Sequence, residues 1–308
     1  MYSPKIKVLY IAGFERSGST LINRVLGQID RFVAWGELRD IWEHGEIENR
    51  SCTCGNSFKD CSAWSSILDE HFYQTLGLTA QEMLTLKRRS RAAVLLTPFG
   101  KPGHSLLSNL TTDYSAGLEQ LYRTIQKETD SEVIVDSTKA SWYGYVLNQI
   151  PSIDLYTVHV VRDPRGVCFS LQKRKDQGEP ECQWYNPFHA SLSWTLKNWG
   201  VESLLNTGPD RYMRMRYEDF VKFPEQALQS ILSFIQEDSS KLPFVKPATV
   251  QMERDHIITG SPSSRAVTGE VKLHTDDSWK RRISPVDRQI VTHTALPLLF
   301  KYGYSYRV

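Results

Sequence analysis

Gly13-Phe-Glu-Arg-Ser-Gly-Ser-Thr20, GFERSGST, follows the apolar run KIKVLYIA and precedes LINRVLGQ. The run before it reads as a strand, Ile6 to Ala12, and the stretch after it as a helix, Thr20 to Gln28. A strand that ends in a glycine turn and opens a helix gathers several backbone N–H groups around one point, with the positive end of the helix dipole behind them. Such a point holds a phosphate. The amides of Ser17, Gly18, Ser19 and Thr20 supply the donors here, and the hydroxyls of Ser19 and Thr20 add to them. The ATP-binding pattern G-x-x-x-x-G-K-[ST] carries a lysine for the β- and γ-phosphates where this chain has Ser19. Its cation comes instead from Arg16, inside the loop.

Outward from the loop, strands are expected at Glu132 to Asp136, Leu155 to Val161 and Tyr212 to Arg216. Continuous apolar runs such as VIVD and LYTVHVV suit strands covered on both faces, as in parallel sheets. Helical spacing appears at Tyr114 to Glu128, at His189 to Leu205 with Leu192, Leu196 and Trp199 near one face, and after Pro224 through Leu228, Ile231, Leu232 and Ile235. Strand alternating with helix predicts an α/β fold of the P-loop NTPase-like kind: a central parallel sheet flanked by helices. Residues 38–130 offer no convincing strand and are expected to form a largely helical insertion within a single domain spanning 1–308. The stretch Arg254 to Lys280 is polar and turn-rich, as binding loops often are.

The 308 residues carry a net charge of +2, with 23% charged and 40% hydrophobic residues, which speaks against disorder and gives no basic bias toward nucleic acid. An anionic ligand must then be held by local arginines and amides. The N-terminal apolar run is too short to span a bilayer and lacks a signal-peptide cleavage site, so a cytoplasmic protein without a transmembrane segment is expected. Of five cysteines, Cys52, Cys54 and Cys61 cluster in RSCTCGNSFKDCSAW. An odd count without a secretory signal argues against a disulfide framework. Three thiolates fall one short of a structural zinc site, which His44 or His71 would complete. The sequence leaves open whether the three bind metal or pair, and no metal is assigned to the site.

A second phosphate signal lies in LYTVHVVRDPRGVCFSLQKRK, residues 155–175. Arg162 leaves a strand at the carboxyl edge of the sheet, where open α/β sheets bind ligands. Pro164 starts a helix, and Ser170 follows two turns on, so the two side chains can approach one phosphate from two sides. Taken together, RSGST and VVRDPRGVCFS resemble the sulfotransferases that use 3′-phosphoadenosine-5′-phosphosulfate. GELRDIW at 36–42 is similar to the Gly-Glu segment of the carbohydrate and tyrosylprotein branch, VIVDSTK at 133–139 to a strand that delivers a lysine, and MRMRYEDF, the cysteine segment and LPLLFKYGY to bacterial members.

That resemblance implies a donor held by Arg16, Ser17, Gly18, Ser19 and Thr20 at its 5′-phosphosulfate and by Arg162 and Ser170 at its 3′-phosphate. It implies Glu37 as the base and Lys139, with Arg16, as the cations on the bridge to the leaving phosphate. A donor that ends in a sulfonate on one phosphate leaves no γ-phosphate for a lysine to grip. Near residue 260, relatives carry Gly-Asn-Pro followed by Arg-Phe, whereas this chain reads GSPSSRAV; Arg265 is its candidate contact to the nucleotide. The acceptor is expected to be a hydroxyl of a small molecule, glycan or lipid, and the chemistry needs no metal. His44 and Glu43 are reserve bases, and Trp35, Trp42, Trp64, Tyr143 and Trp184 either line an acceptor pocket or belong to the core. Two other readings stand beside this one: a P-loop kinase using Asp136 for Mg²⁺, and a nucleotide-binding protein without catalysis.

Overall fold

The computed structural model describes residues 5–96, 104–179, 182–183, 185–260 and 267–306. At its centre, β1 (Ile6–Gly13) pairs in parallel with β4 (Ile153–Val161), Ile6 opposite Ile153 and Gly13 opposite Val160. Both strands are buried almost throughout, which is why they read as continuous apolar runs. β3 (Val133–Lys139) lies on the other side of β1, β5 (Tyr212–Arg216) beyond β4, and β2 (Phe32–Ala34) at the far edge beside β3, giving the parallel order β2-β3-β1-β4-β5. Four of these strands are the expected ones. The fifth, β2, has three half-buried residues and too little pattern to announce itself.

The strand order reverses at β1, so the chain leaves β1 and β4 toward opposite sides and opens a crevice at their carboxyl ends. α1 (Ser19–Leu26) returns over β3 and β2. α7 (Pro164–Asp176) begins where Pro164 fixes the first turn and the Asp163 carboxylate accepts the Arg165 amide at 2.9 Å. Successive β1 side chains serve different layers. Ile6, Val8 and Tyr10 pack beneath the inserted helices, whereas Leu9 and Ile11 pack with α1 and with Leu228, Ile231 and Leu232 of α10 (Pro224–Phe234).

Residues 38–130 fold as expected, with no strand among the described residues. A 3₁₀ turn (Leu38–Asp40) and a π-helical segment (Ile41–Ile47) lead to α2 (Ser62–Ile67), α3 (Glu70–Leu76), α4 (Ala80–Leu96) and α5 (His104–Thr129). α6 (Ser141–Asn148) follows β3. α8 (Pro187–Leu205) forms where a helix was expected, capped by Asn186, but with a different face inward. Ser191, Trp194, Asn198 and Val201 are buried, while Leu192, Leu196 and Trp199 are exposed. The inward face carries polar residues because the buried His159 of β4 needs a hydrogen-bond partner, and Asn198 provides it at 2.8 Å. A small antiparallel sheet that the sequence does not announce flanks and enters the turn-rich stretch: β6 (Phe244–Lys246) and β7 (Thr249–Met252) precede Arg254, and β8 (Gly269–Lys272) lies within it. None of the described helices is long and apolar enough to cross a membrane.

Candidate active site

The loop between β1 and α1 turns through left-handed backbone at Arg16 (φ 65°) and Gly18 (φ 84°). Gly18 has a second constraint, because a Cβ there would stand 2.3 Å from the Tyr217 ring. No side chain caps α1, so the amides of its first turn stay directed at the crevice. Ser17 is buried in the same loop, and its Oγ has no hydrogen-bond partner among the described residues. A buried hydroxyl without a partner is a donor that an anion's oxygen can satisfy.

The arginines meet at this loop. Arg16 Nε donates to Ser170 Oγ at 3.0 Å, and Arg162 Nη1 donates to the Arg16 carbonyl at 3.0 Å. The two phosphate signals of the sequence are therefore contiguous, joined by Arg16. Arg162 is also held from behind by Tyr217, whose ring centroid lies 4.7 Å from the guanidinium carbon. Burial pushes the Arg16 guanidinium down, and the charges of Arg174 and Arg162 add to that. Like charges are brought together where water is scarce, offset in part by Glu179, which pairs with Arg174.

Across the crevice stand carboxylates and cations in alternation. Glu37 follows β2 and Lys139 ends β3, and the Lys139 ammonium lies 2.5 Å from the Glu37 carboxylate, each side chain 12% exposed. β2 and β3 run in register, and the Ser137 amide donates to the Gly36 carbonyl at 2.7 Å, which sets the two side chains at the same edge. The Glu37 amide donates to Thr259 Oγ1 at 3.3 Å. Arg39 forks onto Asp40 at 2.9 and 2.6 Å and reaches Glu37 at 3.9 Å, and Lys87 from α4 joins Asp40 to Glu43 at 3.0 Å each. Burial alone would raise the Asp40 carboxyl, but Arg39 and Lys87 override it and hold it well below the usual carboxylate range.

One cleft of about 1070 Å³ joins both halves, lined by Arg16, Gly18, Ser19, Thr20, Glu37, Lys139, Arg162 and Ser170. Arg265 and Trp184 lie outside the described residues. The reserve bases also line the cleft, where His44 meets Glu48 at 3.0 Å and Glu43 pairs with Lys87. Asp136 is fully buried, accepting from Tyr122 Oη at 2.5 Å and from the Thr138 amide at 2.8 Å. Burial raises its carboxyl to about 6, against the pull of those hydrogen bonds. It caps the strand end and has no exposed oxygen for Mg²⁺. Trp35, Trp42, Trp64 and Tyr143 belong to the core. The sequence reading missed Arg39, Arg174, Tyr217 and Thr259, all on the cleft wall. Each lies in a stretch that the sequence singles out, Arg39 in GELRDIW, Arg174 in LQKRK, Tyr217 in MRMRYEDF and Thr259 in the polar stretch from Arg254, but none was named within it.

With this geometry in place, similarity to known proteins becomes decisive. The sequence model of the sulfotransferase family matches residues 9–240, well over half of the chain. The chain belongs to the sulfotransferase family. The kinase and non-catalytic readings fall with that assignment, and the chain is a sulfotransferase enzyme. Its fold resembles two solved sulfotransferase domains. One is from the olefin synthase of Synechococcus PCC 7002, at 19% identity and a TM-score of 0.56, covering 99% of this chain and 97% of that one. The other is from the curacin biosynthetic pathway, at 18% identity and a TM-score of 0.57, covering 99% of each chain. At such identities the shared property is the fold. No curated protein sequence matches this sulfotransferase.

Proposed function

We propose that this sulfotransferase moves a sulfuryl group from 3′-phosphoadenosine-5′-phosphosulfate to the hydroxyl of a small-molecule, glycan or lipid acceptor. The observation that carries this reading is the pairing of Glu37 with Lys139 opposite the arginine-rich loop, within one cleft. The residues present fit the donor. The orphaned Ser17 hydroxyl and the open first turn of α1 suit its 5′-phosphate, while Arg162 and Ser170 beside Arg16 suit its 3′-phosphate. The bound donor supplies an activated sulfuryl group on that 5′-phosphate.

Glu37 accepts the proton of the acceptor hydroxyl as its oxygen bonds to sulfur. Lys139 and Arg16 would stabilise the bridging oxygen, which would keep the electron pair as its bond to sulfur broke. The amides of Ser17 to Thr20 would hold the phosphate, so that positioning and charge would supply most of the acceleration. Arg265 is the further candidate contact to the nucleotide. Titration calorimetry tests the donor half: adenosine 3′,5′-bisphosphate should bind tightly and magnesium-ATP weakly. The opposite order would overturn the assignment.

A further inference from the structure

Cys52, Cys54, Cys61 and His256 bring three sulfur atoms and one imidazole nitrogen within 4.8 Å of one another. His44 and His71, the sequence neighbours, are not among them. The histidine comes from a segment some two hundred positions away that crosses the inserted region on its way to the cleft. We propose that these four side chains bind one structural zinc ion.

The ligand set is the first ground. Three thiolates and one imidazole form a closed four-coordinate shell, the composition of structural rather than catalytic zinc. Zinc–sulfur bonds of about 2.3 Å and a zinc–nitrogen bond of about 2.0 Å imply tetrahedral edges of roughly 3.5–3.8 Å. The distances from His256 Nδ1 to Cys61 Sγ and Cys52 Sγ, 3.1 and 3.9 Å, bracket those edges. Cys52, Cys54 and Cys61 form no disulfide, so none competes within this structure.

Preorganisation is the second ground. A tight turn presents Cys52 and Cys54 together: the Gly55 amide donates to the Cys52 carbonyl at 3.0 Å, and the Cys52 amide to the Asn56 carbonyl at 2.9 Å. His256 is fixed from both flanks. Its carbonyl accepts from Trp64 Nε1 at 2.8 Å, and Thr53 Oγ1 donates to the Asp255 carbonyl at 2.7 Å while accepting the Ile257 amide at 2.9 Å. On binding, the three thiols release their protons to solvent and the imidazole stays neutral. Three residues beyond His256, Thr259 holds the Glu37 amide. The metal would thus clamp the cysteine segment to the strap that forms one wall of the cleft, without touching the reacting atoms.

The test uses the full chain without a histidine tag, purified after growth in zinc-supplemented medium. Elemental mass spectrometry should find about one zinc per chain, released when the thiols are titrated with an organomercurial. Cys61→Ser and His256→Ala should each lose most of it. Because those variants can fail to fold, the wild-type chain is also loaded with cobalt, which should show the intense visible bands of a tetrahedral thiolate site. Chelation of the wild-type chain should lower its unfolding temperature by several degrees. Wild-type protein with negligible zinc and no such cobalt spectrum overturns the proposal, as does peptide mapping that finds a disulfide among Cys52, Cys54 and Cys61. These readouts do not involve the sulfuryl donor, so they stand or fall apart from the reading of the cleft.

Discussion

The two walls of the cleft handle charge in opposite ways. Along the β1 and β4 ends, Arg16, Arg162 and Arg174 press on one another, and backbone amides add further positive potential. Along the β2 and β3 ends, Glu37, Lys139, Arg39, Asp40, Lys87 and Glu43 form an interlocked series in which each carboxylate touches a cation. The first wall concentrates cations around the loop, with Glu179 pairing Arg174 at its rim. The second is already balanced, each carboxylate against a cation. On the proposed function the first wall binds the donor and the second serves the chemistry, so substitutions on the two walls should fail in different ways.

The largest effect is expected on the balanced wall. Glu37→Gln should lower turnover by about 10²–10⁴-fold, the usual contribution of a general base, while calorimetric affinity for adenosine 3′,5′-bisphosphate stays near wild type. If turnover holds, Glu37 is not the base. Lys139→Met should cost about 10²–10³-fold in kcat by removing a cation from the leaving oxygen. On the arginine wall, Arg162→Ala should weaken bisphosphate binding about 10–100-fold, because a charge-assisted hydrogen bond contributes about 1.5–3 kcal/mol. Saturating donor should restore most of the turnover of this variant, and a pure kcat defect would erase the contrast between the walls.

A smaller effect comes from a group on neither wall. His159 is buried between Tyr212 Oη at 2.7 Å and Asn198 Oδ1 at 2.8 Å, and burial pushes it down to about 4 from an ordinary value of 6.5. The unfolded chain then binds the extra proton first. Stability is full above about pH 6.5 and declines as pH falls toward 4, by about 2 kcal/mol at pH 5 for this residue. Denaturant unfolding of His159→Gln should show a correspondingly shallower loss between pH 7 and pH 5 than wild type, with the bisphosphate affinity of both walls untouched. Smallest of all, Ser170→Ala should weaken bisphosphate binding about tenfold, the low end for one hydrogen bond from a neutral hydroxyl to a charged acceptor.

The arginine wall was largely legible in the sequence because its signals are local. A glycine turn between strand and helix, and an arginine between strand and Pro164, lie within a few residues of the backbone that positions them. The balanced wall was only half legible. Glu37 and Lys139 were found through resemblance, whereas Arg39, Lys87 and Thr259 reach the site by packing of the insertion and the polar strap, which no periodicity encodes. β2 and the small antiparallel sheet were missed because strands of three or four residues carry too few alternations to count. The exposed Leu192, Leu196 and Trp199 teach the same lesson from the other side. Apolar spacing identified the helix, but the need of His159 for a polar neighbour chose its buried face.

The register between β2 and β3 has a genetic consequence. Lys139 ends β3 and Glu37 lies three residues past the end of β2, and the Ser137 to Gly36 hydrogen bond fixes one segment against the other. A one-residue slip within either strand turns its side chains to the opposite face, so adding or deleting a single codon there would pull one member of the pair away from the other. Strand ends ordinarily tolerate indels; these two should not, and in this enzyme the spelling of the segments is freer to drift than their length.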